Sequence, residues 1–103
     1  MRCIWQKTAR QNVTDIVAYL IFYFGTNAKK KFMAAIKRTV KLLAQQPEIG
    51  TIDPLFSDRS ETYRSIIVAN RNKMVYYVRN NTIYIVAFWD CRQDPMAQAQ
   101  KIK

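Results

Sequence analysis

Hydrophobic positions along the chain change period twice. From Ala9 the apolar residues Val13, Ile16, Val17, Leu20 and Phe24 recur at spacings of three and four, one face of an α-helix. Thr8 is placed to cap it. Its end, Tyr19 to Phe24, is apolar nearly all round, so a second apolar face needs cover from a neighbouring loop or from another protein. Gly25 predicts an αL cap, and Thr26 can start the next helix at once, giving a tight αα-hairpin. A second helix follows over about 27–46. Its buried stripe is Ala28, Phe32, Ala35, Ile36, Thr39, Val40 and Leu43, and Pro47 ends it. Lys29, Lys30, Lys31, Lys37, Arg38 and Lys41 fill much of the remainder, either as a solvated face or as one that binds phosphate or acid.

From Glu61 to Asp94 the period becomes two. Three runs rich in Ile, Val, Tyr and Phe are separated by Asn70-Arg71-Asn72 and Arg79-Asn80-Asn81. Asn tolerates the positive φ of tight hairpins, so this stretch predicts an antiparallel three-stranded meander. Alternation sets Met74, Tyr76 and Val78 against the helices and Lys73, Val75, Tyr77 and Arg79 on the other face. In the third run Ile83, Ile85 and Ala87 oppose Tyr84, Val86 and Phe88, an interior strand covered on both sides. Residues 2–6 predict an edge strand, 47–50 a turn, and 51–60 a loop that Leu55 and Phe56 tuck onto the core. Asp94 and Pro95 suit the N-cap and first position of a short final helix through Met96 and Ala99, with Lys101 and Lys103 at its C-terminal end. The fold class is therefore α+β, a single domain over 1–103 in the order β-α-α-β-β-β, with the αα-hairpin on a twisted antiparallel sheet.

Charge adds a partner to this picture. Lys and Arg number 17 against 7 Asp and Glu, a formal net charge of +10. Such an excess on a small domain points to an anionic partner, the alternative being a surface that only aids solubility. Cys3 and Cys91 are the only cysteines and there is no histidine. A disulfide framework and a four-ligand zinc site are both excluded, so no metal or other cofactor is expected. No apolar run is long enough to span a membrane and no secretory signal opens the chain, which makes the cytoplasm the expected location.

In order and spacing the chain resembles the RelE/ParE superfamily of type II toxins, in its ParE-like, plasmid-stabilisation branch. The resemblance is carried by Trp5 with Ala9, Asp15-Ile16 and Tyr19-Leu20 in the first helix. Gly25, Ala28 and Phe32 continue it, then Leu43 with Pro47-Glu48-Ile49-Gly50. Tyr63-Arg64, Val75-Tyr76-Tyr77-Val78 and the closing segment from Trp89 to Pro95 complete it. The resemblance implies a cognate antitoxin, for which Ile21, Phe22 and Tyr23 are a candidate surface. A homodimer or a toxin–antitoxin hetero-oligomer would follow.

It also implies one of two targets. The ParE-like branch resembles an inhibitor of DNA gyrase, and the RelE-like branch a ribosome-dependent mRNA endoribonuclease, or mRNA interferase. Cleavage by a 2′-hydroxyl needs a proton acceptor, a proton donor and charge stabilisation at phosphorus. By the resemblance Arg64, Lys73 and Arg92 fall at the basic positions of the RelE-like sheet, and alternation lets Tyr77 face the same site. No tyrosine follows Tyr84, so the C-terminal tyrosine of that branch has no counterpart. Lys73, with an ordinary pKa of about 10, is a poor base. Gyrase inhibition is thus the leading expectation, with Arg64, Arg71, Lys73, Arg79 and Arg92 as candidate contacts to a target or nucleic acid. The alternative for Arg64 and Arg92 is pairing with Asp90, Asp94 or Glu61. A third reading is a basic nucleic-acid-binding module without toxicity.

Overall fold

In the computed structural model, residues 1–69, 71–91, 95–100 and 102 are described. The elements are β1 (Arg2–Trp5), α1 (Lys7–Phe24), α2 (Thr26–Gln45), β2 (Thr51–Ile52), a 3-10 turn (Pro54–Phe56), β3 (Arg64–Val68), β4 (Asn72–Arg79), β5 (Thr82–Asp90) and α3 (Pro95–Gln100). The sheet order is β1-β5-β4-β3-β2. The meander is antiparallel as predicted, but β1 runs parallel to β5, so the five-stranded sheet is mixed. The chain leaves β1 through the hairpin and returns along the meander, whose last strand β5 carries β1 along its outer edge. The two-residue β2, inside the segment expected to be loop, pairs with β3 at the other edge.

The β4–β5 hairpin has a two-residue loop. Asn80 and Asn81 adopt φ of 52° and 57°, the positive values at both central positions that a type I′ turn needs. Gly25 joins the helices with φ 87° and ψ −179°. This is a glycine-only conformation but not the αL cap expected. One residue ends α1, through its N–H to the Ile21 carbonyl, and begins α2. Thr8 does not cap α1. The helix starts two residues earlier, at Lys7, with Gln6 at the N-cap and no side-chain capping bond.

The helices cover one face of the sheet. Ala9, Phe32, Ala35, Ile36 and Leu43 pack there on Val68, Met74, Tyr76, Ile83, Ile85 and Phe88. Trp5 stacks on Phe88 with ring centroids 5.6 Å apart. Phe24, expected on the buried face of α1, is 66% exposed because it lies at the tip of the hairpin, beyond the sheet.

The opposite face has its own core. Phe56, Tyr63, Val75, Tyr77, Val86, Ala87, Trp89, Ala99 and Ile102 bury one another there. Phe56 tucks down as predicted, onto this second face. Arg59 holds the C-terminal segment over it, donating to the carbonyls of Ala99 (3.0 Å) and Ile102 (2.7 Å). A register shift next to Val75 and Tyr76 explains the one error of alternation. Val75 pairs with Ala87 and Tyr76 with Ile85, which leaves Val86 as an extra residue in β5. The bulge reverses the phase beyond it. Phe88 therefore joins the helix-side core and Ala87 the second core, opposite to the strict alternation.

Candidate partner-binding site

The end of α1 carries the largest exposed apolar group among the described residues. Tyr19, Ile21, Phe22, Tyr23 and Phe24 all lie open to solvent, Phe22 by 80%. They form a continuous aromatic surface, with Tyr19 4.7 Å and Phe22 4.8 Å from Tyr23 between ring centroids. They are not among the residues that α1 packs on the core, which are Ala9, Val13, Ile16, Val17 and Leu20. Among the described residues no neighbouring loop covers them.

Tyr19 and Phe24 continue into a groove of about 1350 Å³. Its walls are α1, through Asn12, Asp15, Ile16 and Leu20, and α2, through Ala28, Lys31, Ala35 and Arg38. Its floor is the Phe88–Asp90 end of β5, and Arg71 and Asn72 at the β3–β4 turn close one side. Asn12 secures the floor by accepting a hydrogen bond from the Phe88 N–H at 3.0 Å. The sequence reading missed this groove. Its signal was the set of small residues Ala28, Ala34 and Ala35 on one flank of α2, which leave space where larger side chains would fill it. Lys31, Arg38 and Arg71 make the lining basic against Asp15 and Asp90.

Among the described basic residues singled out on the sheet, Arg64, Lys73 and Arg79 are each held by a different partner. Directly paired residues share a face, so Arg64, opposite Tyr76, points to the helix side, while Lys73, opposite Ile67, points to the other. Arg64 donates to the carbonyls of Glu48 (3.2 Å) and Gly50 (2.9 Å), closing the turn after α2 instead of pairing with an acid. Lys73 lies 2.6 Å from the buried carboxylate of Asp53, with its ammonium 5.5 Å from the Trp89 ring centroid. Arg79 bonds Glu61 at 3.0 Å. Tyr77 shares the Lys73 face but is four residues, roughly 13 Å, along the strand. There it is 92% buried, stacked on Tyr84 and packed against Tyr63. Arg71 is exposed. Arg92 and Asp94 lie outside the described residues.

Among the described residues burial raises the pKa of Tyr76, Tyr63 and Cys3. The Tyr76 hydroxyl is pushed up mainly by desolvation, against the opposing pull of the Gly50 N–H and the Arg64 guanidinium. Desolvation also raises Tyr63, helped by Tyr77, and half-buried Cys3. A phenol held protonated in this way is no general base at neutral pH. Among the described residues no helix is long and apolar enough to cross a membrane.

A chain of a solved structure described as the chromosomal ParDE TA system from P. aeruginosa superposes with a TM-score of 0.70. It is 20% identical, and the match covers 87% of this chain and 95% of that one, so the two share a fold. No curated protein matches the chain in sequence. The family described as the ParE toxin of the type II toxin–antitoxin system parDE matches residues 3–95, nearly the whole length. With the helical hairpin, the meander and the parallel first strand all in place, the chain belongs to the ParE toxin family of type II toxin–antitoxin systems.

Proposed function

We propose that this toxin arrests growth by binding DNA gyrase, and that a cognate antitoxin neutralises it by covering the aromatic end of α1 and the adjoining groove. The observation that carries the antitoxin surface is the exposure of Phe22 and its neighbours beside a groove with a basic lining. Aromatic residues on a continuous apolar patch mark protein interfaces. The cations Lys31, Arg38 and Arg71 suit an amphipathic segment that carries acidic residues.

Binding of a target is favoured over RNA cleavage by the dispersal of the candidate groups. Arg64 and Lys73 face opposite sides of the sheet, each engaged within the fold, and Tyr77 is buried away from both. Among the described residues, a proton donor, a proton acceptor and a stabilising cation do not converge on one phosphate position. Of the five basic sheet residues, exposed Arg71, together with Arg92 outside the described residues, is the proposed target contact; Arg64 and Lys73 are engaged within the fold, and Arg79, paired with Glu61 but exposed, stays a candidate contact.

The test is pulse-labelling after induction of the chain without antitoxin. An early fall in thymidine incorporation, and loss of supercoiling by purified gyrase on adding the protein, are expected. An early fall in leucine incorporation with thymidine intact, together with cleaved mRNA ends, would replace this reading with a ribosome-dependent endoribonuclease.

A further inference from the structure

The outward face of α2 carries a stripe of lysines that neither the helix-side core nor the groove uses. At 100° per residue, Lys30, Lys37 and Lys41 fall within about 20° of one line, diametrically opposite the buried Phe32, Ala35, Ile36 and Leu43. All three are exposed. Lys31 and Arg38 sit a quarter turn away, on the groove side. The helix contains no Asp or Glu, and the ion pairs Arg59–Asp58, Lys73–Asp53 and Arg79–Glu61 lie outside it. The first turn of α2 has no acid to offset the stripe.

We propose that this face binds the phosphate backbone of duplex nucleic acid, as a site separate from the antitoxin groove and independent of the identity of the toxin's target. Three features favour phosphates over an acidic protein. The stripe is linear, running about 16 Å from Lys30 to Lys41, a length over which one DNA strand presents four or five phosphates. Its ammonium groups are interrupted only by Ala34, with Met33 at the margin, so it lacks the aromatic or branched anchors that concentrate protein–protein binding energy. Those anchors are gathered at the end of α1 and in the groove, which meets the stripe only along its Ala34 edge. Lysine on a flexible stem meets phosphate as a point charge, without the base-edge geometry that sequence-specific reading requires. Binding is therefore electrostatic and indifferent to sequence, and it keeps the toxin on DNA.

The experiment is fluorescence anisotropy of the full chain on a mixed-sequence DNA duplex of about 30 base pairs, with KCl raised from 50 to 200 mM. Three phosphate contacts give a slope of about −2.7 in log K against log salt, a loss of about 40-fold in affinity over that range. Lys37→Gln/Lys41→Gln, folded by circular dichroism, should flatten the slope by about 1.8. Arg2→Gln/Lys7→Gln removes the same charge from exposed positions on β1 and at the start of α1, and should keep the slope. Equal loss in both double variants would mean that binding follows net charge alone and would overturn the site. Absence of binding at 50 mM KCl would overturn it too. Polyglutamate bound as tightly as DNA, with the same dependence on Lys37 and Lys41, would assign the face to an acidic protein instead. None of these readings uses gyrase or antitoxin, so failure here leaves the proposed function standing, and its failure leaves this site standing.

Discussion

The Tyr76 hydroxyl accepts the Gly50 N–H at 2.9 Å and donates to the Pro47 carbonyl at 2.8 Å. A strand in the middle of the sheet thus holds the turn that follows α2, and Arg64 completes the grip through the carbonyls of Glu48 and Gly50. Position 50 has no room for a side chain. A Cβ there would meet the Tyr76 hydroxyl oxygen at 2.5 Å and the Ser65 carbonyl oxygen at 3.0 Å. Gly50→Ala should cost about 1–3 kcal/mol through this overpacking. Tyr76→Phe should cost about 1–3 kcal/mol because the Gly50 N–H loses its buried acceptor. Urea denaturation measures both. Since the two residues share one contact, the double variant should cost less than the sum.

Lys73 and Asp53 give a second test within the fold. Asp53 is buried beside the second core, where one carboxylate oxygen accepts the Leu55 N–H and the other meets the Lys73 ammonium. Lys73→Ala strands that charge, and a loss of about 3 kcal/mol is expected. Lys73→Met combined with Asp53→Asn removes both charges and should be markedly less costly, as thermal or urea unfolding would show. If instead Lys73→Ala leaves stability unchanged while abolishing toxicity, Lys73 acts on the target and not on the fold.

Stability should fall in alkali, with a definite sign. Tyr76 and Tyr63 have folded pKa values above the ordinary tyrosine value, chiefly because burial disfavours the phenolate. The unfolded chain therefore releases these protons first as pH rises. The stabilisation is complete below about pH 10 and is lost as pH climbs through the raised folded values. Tyr76→Phe should flatten the decline of stability above pH 10. The Cys3 thiol, raised likewise by burial, should react with iodoacetamide more slowly than exposed Cys91 at pH 8, as peptide mapping after timed alkylation would reveal.

The aromatic end of α1 should tolerate change in the free toxin and not in the complex. Phe22 is 80% exposed, so Phe22→Asp should alter unfolding free energy by less than about 0.5 kcal/mol. Antitoxin affinity should fall by at least about 2 kcal/mol, roughly 30-fold, as expected for a central aromatic anchor. Calorimetric titration of antitoxin into the two proteins decides it. Unchanged affinity would move the interface elsewhere.

Local periodicity in the sequence was enough to determine the helical hairpin, the meander and a tight turn around Asn80-Asn81. Each is specified by residues within a few positions of one another, so spacing of three and four or of two reports it directly. The burial of Met74 and Tyr76 against the helices was legible for the same reason. Tertiary structure alone decided the rest. The bulge at Val86 exchanged the faces of Ala87 and Phe88, because register depends on the partner strand and not on the strand's own pattern. The parallel pairing of β1 with β5 joins residues about eighty apart in the chain, a distance no local pattern encodes. The basic residues of the sheet show the same limit. Sequence supplied their charge, but only the folded chain settled that Arg64 would meet two carbonyls, Lys73 a buried carboxylate and Arg79 Glu61. A charge is a property of one residue, whereas its pairing is a property of whatever the fold brings within a few ångströms.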